Sequence, residues 1–133
     1  MKNVTRFIGK KSWYDKSKNI VLPAAFCDDK NKRAREISVF DIDQELETCQ
    51  EDKIYQIGDK QVFKFKPNTI ARADLKVDAI EKIKSENDFL RVDKSFFSKH
   101  CNIRPFPYDD AKALHVASQL VRISNLQIRQ RNS

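Results

Sequence analysis

Between residues 72 and 79 charged and apolar side chains alternate without a break: Arg72, Asp74, Lys76 and Asp78 against Ala73, Leu75, Val77 and Ala79. Successive side chains of a strand point to opposite sides, so a period of two belongs to a β-strand with one face on a core. That strand needs a covering layer. The C-terminal third supplies one, because Leu114, Ala117, Val121 and Ser124 follow a seven-residue spacing and Val116, Leu120 and Ile123 widen the stripe. Asp109 or Asp110 is placed to cap this helix, which is expected over 110–125 against the apolar face of 73–79.

The remaining segments fit round that pair. Ile20-Val21-Leu22, stopped by Pro23, reads as an edge strand. Ile37 to Ile42 is rich in β-branched and aromatic residues and reads as a strand. Val62 to Phe65, ended by Pro67, reads as another, and Phe89 to Val92 as the neighbour of 73–79. Asp43 is expected to cap a short helical region whose apolar side carries Leu46, Ile54 and Ile57, with Gly58 as its C-terminal stop. Residues 94–108, which contain Pro105 and Pro107, read as irregular, and residues 127–133 as a polar tail that frays. The expected fold is α+β: a single domain over 1–128 with a basic tail over 129–133. An antiparallel or mixed sheet of four to six strands is packed by the C-terminal helix.

A chain of 133 residues can bury one real core. With 34% charged residues and no apolar run near the ~20 residues a membrane span requires, no membrane partner is expected. The first six residues carry no apolar leader, which points to the cytoplasm. Cys27, Cys49 and Cys101 are odd in number and form no Cys-x-x-Cys, so neither a disulfide framework nor a metal site is expected. Two glycines leave no room for a phosphate-cradling loop or a dinucleotide fingerprint, and no cofactor is expected.

Charge is segregated. Residues 1–35 hold ten basic and three acidic side chains, residues 36–52 hold seven acidic and no Lys or Arg, and residues 53–133 hold sixteen basic and nine acidic. Lys30, Lys32, Arg33 and Arg35 concentrate the first block. A basic arm of this kind can follow a phosphate backbone, or it can pack beside the acidic block and neutralise it.

Chemistry-bearing residues gather in His100-Cys101-Asn102-Ile103-Arg104-Pro105. His100 offers an acid or base, Asn102 an oxyanion donor and Arg104 an anion clamp. The alternative is that His100 and Asn102 satisfy loop backbone groups. Arg72 and Asp74, two apart on one strand face, read either as a substrate clamp or as a surface ion pair.

The order of short motifs is itself informative: Arg6-Phe7, Pro23-Ala24-Ala25-Phe26, Ser38-Val39-Phe40, Ile57-Gly58, Arg72-Ala73-Asp74 and His100-Cys101-Asn102-Ile103 with Pro105 and Pro107. In this order the chain resembles a family of small bacterial proteins of uncharacterised activity. It departs from that pattern at Ala71, where the family has Gly, and at Phe106-Pro107, where it has Trp-Pro. The resemblance implies that Arg72, Asp74, His100 and Asn102 share one site.

The first functional expectation is an accessory or interaction protein that binds a nucleic acid or a protein partner through its basic surface. The second is a small cofactor-independent enzyme acting on RNA or another phosphate-bearing substrate. In it His100 is the acid/base, with Arg72 and Asp74 as its partners. The third is one member of a bacterial conflict pair, a toxin or its neutraliser.

Overall fold

The computed structural model describes residues 1–27, 35–62, 68–95 and 99–130. Its strands are β1 (Asn3–Ile8), β2 (Tyr14–Asp15), β3 (Ile20–Val21), β4 (Ile37–Asp41), β5 (Ala71–Lys76), β6 (Lys84–Ser85), β7 (Asp88–Phe89), β8 (Arg91–Lys94), β9 (His100–Arg104) and β10 (Asn125–Ile128). The helices are α1 (Asp43–Glu47), α2 (Glu51–Gln61), α3 (Val77–Ile80) and α4 (Asp110–Ile123), with single 3-10 turns at Lys11–Trp13 and Pro23–Phe26. Six strands form one sheet in the order β10-β5-β1-β4-β9-β8, antiparallel throughout, while β2–β3 and β6–β7 are separate two-stranded ribbons. The chain is a single α+β domain.

The sheet buries both faces, and the alternation of each strand decides which residue goes where. On one face Val4 and Ile8 of β1, Val39 of β4, Ala73 and Leu75 of β5 and Ile103 of β9 meet Val116, Ala117 and Leu120 of α4. Asp109 caps that helix by accepting from the Lys112 amide at 2.9 Å. On the opposite face Phe7 and Phe40 meet Ile54 of α2. Close approach there depends on Gly58, well inside α2. A Cβ at that position would stand 2.6 Å from Thr69 Oγ1 and 2.8 Å from Phe7 Cδ1.

Two half-sheets, β10-β5-β1 and β4-β9-β8, meet along a short seam. Here β1 and β4 pair only through Val4 with Asp41 and Thr5 with Phe40. Beyond Thr5, the Arg6 side chain spans to β4, with Nη1 donating to the Ser38 carbonyl at 3.0 Å and Nε to the Ala25 carbonyl at 3.0 Å.

Several expectations are corrected. The alternating strand ends at Lys76, and Val77 to Ile80 turn into α3. The neighbours of β5 are β1 and β10, not 89–92; β8 pairs with β9 instead. Residues 100–104 are a strand, not part of an irregular loop. Gln127 and Ile128 do not fray but complete the edge strand Asn125–Ile128, and Arg129 continues the tie with its amide on the Ile70 carbonyl at 3.0 Å and its guanidinium on Asp59 at 3.1 Å. Asp43 does not cap α1. It accepts the Lys2 and Asn3 amides, both at 2.7 Å, because a carboxylate at the sheet end is within reach of unpaired β1 donors. Gly58 stops nothing, and Leu46 and Leu114 face water rather than the core. Ile20 and Val21 pair with β2 outside the main sheet. The strand expected over 62–65 lies, after Val62, outside the described residues.

Candidate functional site

The seam between the half-sheets opens into a cleft of about 680 Å³ on the α2 face. Phe7 and Phe40 floor it, Val62 and Gln61 from the end of α2 wall it, and Arg6, Ser38 and His100 supply its polar groups. Strand period explains the set except Arg6, which alternates with Phe7 and borders the cleft across the seam. Ser38 and Phe40 alternate with the core residues Ile37 and Val39 on β4, and His100 stands opposite Phe40 on β9. The His100 and Phe40 rings lie 5.3 Å apart between centroids.

His100 is held at both nitrogens. Nδ1 lies 2.7 Å from Ser95 Oγ and Nε2 lies 3.1 Å from Ser38 Oγ. Partial burial pulls its pKa below the ordinary histidine value, against an upward pull from the charge of Glu36. A neutral imidazole between two hydroxyls donates from one nitrogen and accepts at the other. In the tautomer that donates from Nδ1 to Ser95, Nε2 accepts from Ser38, whose side chain faces solvent; in the other the two roles exchange. Sequence reasoning missed Ser38, Ser95 and Arg6 as site residues. The alternation Ile37-Ser38-Val39-Phe40 was the available signal, but it cannot show which strand lies beside it.

Arg72 and Asp74 share the α2 face with His100 but belong to another place on it. Strands β1 and β4 intervene, so three strand spacings, about 14 Å, separate β5 from β9. The expectation that they partner His100 is corrected: its partners are the two serines. Arg72 is 2% exposed, which makes the pair a buried one rather than a surface ion pair. Its Nε donates to Asp74 Oδ1 at 3.0 Å, its Nη2 lies 3.6 Å from Glu51, and its guanidinium lies 5.2 Å from the centre of the Tyr55 ring. Nη1 is buried and has no hydrogen-bond partner among the described residues. Burial pushes the Asp74 carboxyl above its ordinary range despite Arg72 beside it and a 2.8 Å hydrogen bond from Thr5. This cluster ties α2 to the sheet.

Of the other expected binding residues, Arg104 and Arg35 are also engaged. Arg104 donates to Asp93 at 2.6 Å and stands 3.6 Å from Glu36. Asn102 lies in register between Ser38 and Asp93 on the same face. Arg35 donates to the Phe106 carbonyl at 2.8 Å and lies 4.3 Å over the Tyr108 ring, which makes it a clamp on that segment. Lys30, Lys32 and Arg33 lie outside the described residues.

The basic block splits along the fold. Residues 3–8 are an interior strand rather than an arm. Lys11, Lys16 and Lys18 are exposed round the β2–β3 ribbon, where Trp13 carries Arg6 at 5.3 Å and Lys10 at 5.4 Å from its ring centre. Arg6 therefore touches both the ribbon and the cleft. Among the described residues, no group of three His, Cys, Asp or Glu is placed to hold a metal ion, and no helix is long and apolar enough to cross a membrane. No family model matches the chain, and no curated protein or solved structure is significantly similar to it.

Proposed function

We propose that the protein binds a nucleic acid through the basic surface built on its first quarter, with the β2–β3 ribbon as the centre of that surface. What supports this reading is where the acidic block finds its counter-charges. Glu36, Asp41, Glu45 and Glu51 are met by Arg104, Lys94, Lys99 and Arg72, all from residues 53–133, and Asp43 by the chain's amino group. Among the described residues Lys11, Lys16 and Lys18 form no ion pair with that block. Lys11, Lys16 and Lys18 thus keep their charge facing solvent, Lys11 in the same turn as the half-buried Trp13 and Lys16 and Lys18 in the turn between β2 and β3. Exposed lysines on a small ribbon suit a phosphate backbone.

Fluorescence anisotropy with labelled single-stranded RNA and duplex DNA tests this. Affinity is to fall with salt at a log–log slope near −0.9 per phosphate neutralised on the duplex, and Lys11→Glu with Lys16→Glu and Lys18→Glu is to abolish binding. Absence of binding to either nucleic acid at low salt would overturn the reading.

A second reading, an enzyme acting on RNA or another phosphate-bearing substrate with His100 as acid/base, is favoured by the place of His100 on the cleft wall. In that reading Arg6, not Arg72, is the nearby cation.

A further inference from the structure

We propose that Ser38 is a nucleophile activated by His100, and that the cleft is a site for an ester of a largely apolar acyl group. Nucleic-acid binding is not a premise of this proposal. Four observations converge on it. Ser38 Oγ is exposed at the cleft and 3.1 Å from His100 Nε2, within the reach expected of a nucleophile and its base. Ser95 Oγ lies 2.7 Å from Nδ1 on the far side of the ring, so a neutral imidazole that donates from Nδ1 to it presents Nε2 to Ser38 as a proton acceptor. The Arg6 guanidinium, anchored on Ser38's backbone carbonyl at 3.0 Å, adds a positive charge to the cleft lining, the kind of group that stabilises developing negative charge. The rest of the described lining, Phe7, Phe40 and Val62 with the neutral amide of Gln61, suits an acyl chain better than a charged group.

The chemistry balances without a cofactor. Ser38 Oγ attacks the ester carbonyl carbon as its proton passes to His100 Nε2. The tetrahedral adduct collapses, the bond to the leaving oxygen breaks, and His100 returns the proton to that oxygen, releasing the alcohol. Water then attacks the acyl-Ser38 ester with His100 taking its proton. The acid departs and Ser38 Oγ recovers its hydrogen. One ester and one water give one acid and one alcohol.

A fluorophosphonate probe on the full chain tests the first step, since the serine oxygen displaces fluoride from phosphorus. Mass spectrometry is to find one adduct, on Ser38. Ser38→Ala, at an exposed position that disturbs no core, is to abolish it. His100→Gln is to slow labelling by roughly a hundredfold or more, the range of general-base assistance. A measurement independent of variant folding uses p-nitrophenyl butyrate: a burst of nitrophenolate stoichiometric with protein, leaving butyryl on Ser38. Absence of any adduct and burst, labelling spread over other serines, or equal labelling in folded His100→Gln would each overturn the proposal. No nucleic acid enters these assays, so their failure leaves the binding reading untouched.

Discussion

Arg72 Nε and Asp74 Oδ1 stand 3.0 Å apart on one strand, under α2, with the arginine side chain 3% exposed. Two positions along a strand bring side chains to the same face, and here that face is covered. The pair is therefore shielded from solvent. Asp74→Ala leaves a buried guanidinium facing little but Glu51, and is expected to destabilise the fold by about 3–5 kcal/mol, the usual cost of breaking one side of a buried pair. Urea unfolding checks this. A change within experimental error would mean that the pair opens to water.

The same burial sets a pH signature. Asp74 has a folded pKa above its ordinary value, because burial disfavours the carboxylate more than Arg72 and Thr5 favour it. The folded state then holds this proton more tightly than the unfolded chain. Its contribution to stability is full below about pH 4 and is lost as pH rises through the raised value. Asp93 has the opposite shift, lowered by hydrogen bonds from Arg104 and Arg91. Carboxyl carbon NMR is expected to find Asp74 titrating above Asp93, and the reverse order would refute the assignment.

His100 should titrate below free histidine, because partial burial penalises the imidazolium. The unfolded chain binds this proton more tightly, so the stability it contributes is present above about pH 6.5 and falls away as pH drops toward the folded pKa. A proton-NMR titration of the ring reads this directly, and Ser95→Ala is expected to change it by removing the Nδ1 partner.

At the contact between α2 and the sheet, Gly58→Ala should weaken the protein although alanine is the better helix former by roughly 1 kcal/mol. The added methyl meets Phe7 and Thr69 at distances below any normal contact. A net loss of about 1–3 kcal/mol is the expected cost of forcing extra volume into packed space. Thermal unfolding above that of the wild-type chain would show that α2 can move away.

Leu75→Ala and Leu120→Ala remove side chains that are 2% and 0% exposed, from facing elements of the larger core. Each is expected to cost about 2–5 kcal/mol. Denaturant midpoints settle it.

The sequence pattern was legible where a periodicity had a single physical meaning. The alternation through Arg72–Lys76 and the stripe Val116-Ala117-Leu120 gave a strand, a helix and their contact. It misled where local chemistry was overridden from afar. Asn3–Ile8, lost inside a run read as basic, is an interior strand because Val4, Phe7 and Ile8 find cores on both faces. Prolines at 105 and 107 suggested a loop, yet β9 ends just before them. Gly58 looked like a helix end because its reason, the Phe7 ring, sits fifty-one positions earlier. The cleft is a product of strand order, and no local window contains it: Ser38, Ser95 and His100 meet only after β4 and β9 pair.

The placing of β1 carries a consequence for how the chain reaches its final form. Its ladder with β5 joins Asn3 to Lys76 and Ile8 to Ala71, and β5 in turn receives β10 from residues 125–128. Closure of loops this long costs entropy before any pairing repays it, and such topologies cross their barrier slowly. A growing chain holds β1 with one ready partner edge, β4, and an open edge on its other side until β5 emerges. The half-sheet β10-β5-β1 is complete only once the last strand has been made. Folding should therefore be governed by the search of distant segments for one another, and slow refolding with little early protection of the amides of β1 is its kinetic mark.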